Sequence, residues 1–319
     1  MLNELHLENF RLFKSLDLNG LKQVNLFAGK NNSGKLALLE ALRIWAVRGD
    51  STVINHIIAT RGQFTPGWPE SYESLFYRPA LASQGYEQPL EAKIGTISIS
   101  RKLIREQRSH FALLVHGQPV PNTLDLNATI DHPNDAAIYI PFGGEAFFPL
   151  DQLWDKIALT EKEDDVVHIL RETILPDLIR LDVKESRTIV RLASEKAPIP
   201  LKNLGDGAQR MLLMAIALVS AKDKMLLIDE IEAGLHHTVQ EGLWLKIFEY
   251  AKKWNIQVFV TTHSENTVKA FTYAMEQADN GGAGAFFRLQ QNRKTEQIEV
   301  IAYDLSRLES ALELELETR

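Results

Sequence analysis

Residues 29–36 read Gly29-Lys30-Asn31-Asn32-Ser33-Gly34-Lys35-Leu36. Two glycines with four residues between them, the second followed by lysine, is the spacing of a phosphate-binding loop. The flanks agree with it. Val24 to Ala28 is a short apolar run with strand character, and Ala37 to Val47 repeats its apolar residues with helical spacing. Strand, loop and helix in that order form the context the motif requires. Successive backbone N–H groups and the start of the helix then make a concavity that favours anions. Lys35 is placed to reach the outer phosphates. The next residue in such loops carries a hydroxyl that ligates Mg²⁺; Leu36 has none, so the sequence offers a nucleotide loop with one metal ligand missing.

Upstream, apolar residues alternate through Leu5, Leu7 and Phe10, then Phe13, Leu16 and Leu18, which reads as two strands before the one that enters the loop. Downstream, residues 49–200 read as an α+β insertion. Its turns are marked by prolines and glycines at 61–80, at Pro119, Pro121 and Asn122, at 133–135 and at 141–144. Strands are expected over Ile94–Ile104 and Phe111–Val115, and helices over Asp151–Ile157 and Glu161–Ile174. No heptad repeat suggests a coiled-coil arm.

From Leu201 the pattern sharpens again. Leu204-Gly205-Asp206-Gly207-Ala208-Gln209-Arg210 is a glycine-rich turn entering an apolar helix, a second anion-binding helix start. Met225 to Ile228 is a buried strand ending in Asp229-Glu230. A helix from about His236 to Lys253 leads to the strand Ile256–Val260 and then to Thr261-Thr262-His263-Ser264. Two apolar strands joined by a helix make a βαβ unit and a parallel sheet, which binds ligands at the carboxyl ends of its strands. Asp229 suits Mg²⁺, Glu230 suits polarising a water, and His263 suits sensing a terminal phosphate. Glu232 is either a second carboxylate of the site or a surface charge. The adjacent pair His236-His237 has no metal spacing, and His56, His110, His116, His132 and His168 carry no assignment. One chain already has its phosphate loop, so the second turn is expected to reach a nucleotide held by another subunit, the alternative being a purely structural turn.

This order of motifs, with the opening LENFRLFKSLDL, resembles the ABC-type ATPase heads of the RecF, SMC and OLD group. EIEAGLHH and VFVTTHS are most similar to stand-alone OLD-like AAA ATPases of bacteria. The resemblance covers residues 1–48 and 200–275 and is diffuse between them. It implies an α/β fold, an ABC-type P-loop NTPase head with a mixed β-sheet core and an N-terminal antiparallel β subdomain. Residues 1–48 would form an N-terminal lobe, 49–200 an insertion and 201–319 a C-terminal lobe. Gly29 to Lys35 would be the Walker A loop, Asp229 and Glu230 the Walker B pair and Gly205 to Gln209 the signature. Gly234 to His236 would lie in the D-loop, and His263 would be the switch histidine. Gly205 and Asp206 stand where the usual signature has Ser and Gly, and Gln63 is the Q-loop candidate by position. ATP and Mg²⁺ are the implied ligands, a head-to-tail homodimer the implied assembly, and a separate effector chain, a Toprim-type nuclease in anti-phage defence, the implied partner. The alternatives are a RecF-like clamp on DNA and a nucleotide-binding scaffold of low turnover.

Bulk properties restrict the rest. A formal net charge of −7 leaves no global basic footprint, so any nucleic-acid contact has to be local. The absence of cysteine excludes disulfides and thiolate metal sites and fits a reducing cytoplasm. The amino terminus has acidic and polar residues where a secretory leader has a basic head and an apolar core. Met211 to Val219, the longest apolar run, is far short of the ~20 residues that span a bilayer, so it is expected as a buried helix.

Overall fold

A computed structural model describes residues 1–61, 69–77, 90–104, 110–119, 136–142, 150–184, 187–279 and 281–313. The chain opens with the hairpin β1 (Glu4–Phe10) and β2 (Phe13–Asn19), and β3 (Val24–Ala28) enters the phosphate loop. Strands β4 (Leu90–Ile94), β5 (Ile97–Ile104), β6 (His110–Val115) and β7 (Gln118–Pro119) follow, then β8 (Ala137–Ile140). A small group, β9 (Leu178–Lys184), β10 (Arg187–Leu192) and β11 (Ile199–Pro200), precedes β12 (Met225–Ile228), β13 (Gln257–Thr262), β14 (Gly284–Gln291) and β15 (Ile298–Tyr303). The helices are α1 (Lys35–Ala46), α2 (Ser51–Thr60), α3 (Leu150–Ile157), α4 (Glu161–Thr173), α5 (Asp206–Ser220), α6 (Gln240–Lys253), α7 (Glu265–Asp279) and α8 (Leu305–Glu313).

Three sheets result. The first is antiparallel in the order β2-β1-β4-β5-β6-β7, and the small one is β11-β10-β9. The central sheet is mixed, β15-β14-β3-β13-β12-β8, parallel except for β15. Alternation along β3 divides the core: Val24, Leu26 and Ala28 face one apolar cluster, Phe27 the other. On the second side Phe27 stacks on Phe287 with ring centroids 5.1 Å apart, and α1 lies between the central and the antiparallel sheets. On the first side α5 is enclosed by neighbours, and every residue from Met211 to Val219 is at most 3% exposed. That encirclement, rather than a lipid bilayer, accounts for its unbroken apolar run. Among the described residues no helix is long and apolar enough to cross a membrane.

The stretch expected as one strand over 94–104 is a hairpin. Gly95 adopts φ 57° at the first position of a two-residue turn and folds β5 back on β4. The expected strand of 256–260 runs on through Thr261 and Thr262, and a short 3₁₀ turn, His237–Val239, precedes α6. Pro119 belongs to β7, whereas Gln63, Pro121, Asn122, His132 and the 133–135 turn lie outside the described residues. The middle of the sequence supplies β4–β7 to the antiparallel sheet and β8 to the edge of the central one.

Candidate functional site

The loop at 29–36 is tightly constrained by its packing. A Cβ on Gly29 would lie 2.5 Å from the Ser33 hydroxyl and 2.6 Å from the Leu289 carbonyl; one on Gly34, at φ 94°, would meet the Phe13 ring at 2.9 Å. Only glycine fits either position. Asn32 also takes a positive φ, 65°, and Gly34 caps α1, whose first residue is Lys35. The Lys35 ammonium donates to the carbonyls of Gly29 at 2.6 Å and Lys30 at 3.0 Å, closing the loop on itself.

Parallel pairing brings the other motifs alongside. β13 lies between β3 and β12, so the carboxyl ends of the three strands open together. The Thr261 hydroxyl donates to Asp229 Oδ1 at 2.6 Å and accepts the Glu230 N–H at 2.9 Å. Glu230 has φ 46°, a conformation disfavoured for a glutamate, which turns the chain sharply after β12. His263 Nδ1 lies 3.4 Å from Glu230 and 3.2 Å from Glu232, and Glu232 also accepts the His263 N–H at 2.9 Å. Of the two readings of Glu232, the structure supports a site residue: its side chain is 11% exposed and holds the histidine.

Charge is strained here. Burial lowers the Lys35 ammonium below its ordinary pKa, while Glu230, Asp229 and Glu232 pull it back up. The Asp229 carboxyl is raised, first by burial and then by Glu230, against the Thr261 hydrogen bond and Lys35. Such mutual perturbation places Lys35 of the 29–36 loop and Asp229 of the β12 strand end within electrostatic reach of each other. Both line a cavity of about 1230 Å³ with Asn31, Asn32, Gly34, Leu36, Glu230 and His263.

Gly205, Asp206, Gly207 and Gln209, expected as the signature, are absent from that cavity's lining. Gly205, at φ 93°, and Asp206 are exposed at the start of α5, and Gly207 packs near the Gly234 carbonyl. The 205–207 turn and the turn at Gly234 therefore share one outward surface. His236 and His237 are exposed with ring centroids 4.2 Å apart, and the described residues contain no cluster of metal-ligating groups.

Several cavity residues escaped the sequence reading. Glu40, one turn past Leu36 on α1, is held by Arg11 at 3.0 Å and by Arg61 in two contacts, at 2.6 and 3.0 Å. Arg43 lies over the Tyr139 ring, 5.1 Å from its centroid, and His56 is pushed down to about 4 by burial and then by Arg43. A glutamate among the leucines of α1 was the available signal. For Mg²⁺ the fit is partial, since Asp229 presents a carboxylate and Leu36 presents no donor.

Comparison with known proteins agrees with this geometry. Residues 106–269 match the family model described as "AAA domain, putative AbiEii toxin, Type IV TA system". The chain belongs to this AAA family. Residues 1–57 match a second model, "AAA ATPase domain". An ATP/GTP phosphatase of Helicobacter pylori is 22% identical over 92% of this chain and 93% of its own length. The head of an SMC protein bound to the C-winged helix domain of ScpA superposes with a TM-score of 0.60, at 14% identity over 98% of this chain and 99% of that one. An SMC head with an extended coiled coil, bound to the C-terminal domain of ScpA from Pyrococcus furiosus, gives 0.57 at 14% identity over 98% of each chain. The fold is that of an ABC-type P-loop NTPase head of the RecF and SMC kind.

Proposed function

We propose that this AAA protein binds and hydrolyses ATP at the 29–36 loop and dimerises head-to-tail around two nucleotides. The observation that carries the reading is the single cavity shared by Lys35, Asp229, Glu230 and His263. Backbone N–H groups from Gly29 to Leu36 would cradle the phosphates, and Lys35 would exchange its two carbonyl partners for phosphate oxygens. Glu230, hydrogen-bonded through its N–H to Thr261, would orient and deprotonate the attacking water. His263, held by Glu232, would donate to the terminal phosphate. Asp229 would hold Mg²⁺, which supplies charge neutralisation on the phosphates when bound. The exposed Gly205–Gln209 turn would close on the partner's nucleotide, with 1–48 and 201–319 as working lobes around 49–200. Closure would switch an effector chain; a Toprim-type nuclease in anti-phage defence follows from the OLD-like resemblance, and a cytoplasmic setting fits a sequence without cysteine. Phosphate release by purified protein with Mg²⁺ and ATP tests the reading: turnover that survives in Glu230→Gln would remove Glu230 from its role.

One observation favours a DNA clamp as a second reading. The outer face of β9–β10 pairs Lys184 with Arg187 and Arg180 with Arg191, flanking Asp182 and Ile189. Like charges opposed across strands are unfavourable unless an anion covers them. Duplex affinity falling steeply with salt, and lost when these four become glutamine, would support it.

A further inference from the structure

Leu36 withdraws an oxygen from the mouth of the phosphate loop, and the same cavity contains a hydroxyl with no other use. Tyr139 lies on β8, whose last residue accepts the Asp229 N–H at 2.9 Å. Parallel register sets Tyr139 beside Leu227, two residues before Asp229, so its side chain leaves the sheet on the face that Asp229 uses. Arg43, two turns beyond Leu36 on α1, lies over the ring with its guanidinium 5.1 Å from the centroid. Tyr139 lines the cavity together with Lys35, Leu36 and Asp229.

The other hydroxyls that line the cavity or touch Asp229 are committed. Thr261 donates to Asp229, Thr60 donates to the Ile57 carbonyl, and Ser74 accepts from Arg11. Ser33, whose hydroxyl makes no hydrogen bond among the described residues, is buried against Gly29 and does not line the cavity. The Tyr139 hydroxyl makes no hydrogen bond to the protein among the described residues. Burial and the Asp229 charge raise its pKa far above the usual phenol value, so it presents a neutral oxygen at physiological pH.

We infer that Tyr139 replaces the hydroxyl missing at Leu36, joining Asp229 in holding the divalent cation of the bound nucleotide through the cation's water shell. Mg²⁺ retains several of its waters in such sites, so a phenol unable to displace one can still accept a hydrogen bond from it. The inference rests on the nucleotide site proposed above.

Calorimetric ATP affinity, measured in EDTA and again in Mg²⁺, tests it on the wild type, Tyr139→Phe, Leu36→Thr and the double variant. The expected result is unchanged affinity of Tyr139→Phe in EDTA and an about tenfold loss of the increment that Mg²⁺ provides. Adding Leu36→Thr should restore the increment, which a merely structural role for Tyr139 would not allow. An undiminished increment in Tyr139→Phe, or a diminished one that Leu36→Thr fails to rescue, overturns the inference and leaves the nucleotide site standing. A wild type that binds ATP in neither condition overturns both.

Discussion

Two helix starts in this chain have similar glycine-rich sequences and opposite surroundings. At α1 the glycines and Lys35 are buried, Lys35 is 7% exposed, and neighbours crowd in from β2, β14 and the carboxyl end of β12. At α5 the turn is bare: Lys202 to Asp206 are exposed, and a Cβ on Gly205 would meet nothing within 4 Å. The first site has its chemistry inside one chain. The second is an exposed helix start, which the proposed head-to-tail dimer would place against the nucleotide of the other subunit. Packing, rather than motif, distinguishes a site from a half-site.

The largest effect is expected at the buried end of this comparison. Lys35→Ala should weaken ATP binding by about two orders of magnitude or more, the cost of removing a buried cation from a polyphosphate, as read by titration calorimetry. Retained affinity would erase the distinction between the two turns. At the exposed end, Gly205→Val puts a β-branched residue at φ 93°, a strain of roughly 1–3 kcal/mol. It should leave ATP affinity of the isolated protomer intact and abolish turnover. Equal loss of both would place the signature in the protomer's own site.

A pH experiment sharpens the buried side. Because the Asp229 carboxyl is raised in the folded chain, the folded state binds more protons than the unfolded one as this group titrates. Its ionisation therefore destabilises the fold at neutral pH, and the penalty fades as pH falls through the raised pKa and is gone below the ordinary one. Asp229→Asn should accordingly melt above the wild type at pH 7, with the gap closing in acid, while Mg²⁺-dependent turnover is lost. The smallest effect is expected from Leu36→Thr, a few-fold gain in Mg²⁺-dependent turnover, because Tyr139 already covers much of the deficit.

The sequence disclosed what local spacing controls. The phosphate loop, the Asp229-Glu230 strand end, the signature turn and the β12–α6–β13 unit were all readable, because each is a short run with its own period. Pairings between distant strands were not. Nothing in Ala137–Ile140, four residues long, announced that it would lie beside β12 and deliver Tyr139 next to Asp229. The hairpin at Gly95 was obscured because the apolar alternation of Leu90, Ala92 and Ile94 resumes at Ile97 and Ile99 after a turn of only two residues. Glu40 was hidden among leucines, since burial of its charge depends on Arg11 and Arg61, which are far away in the chain. The left-handed Glu230 is set by tertiary hydrogen bonding to Thr261, which no local preference reveals.

The most direct measurement is the mass of Glu230→Gln in solution by light scattering, with and without ATP and Mg²⁺. A protomer mass without nucleotide and twice that mass with it is expected, the doubling abolished by adding Gly205→Val. A single protomer mass under every condition, with ATP shown to be bound, would contradict the division of the site between two chains.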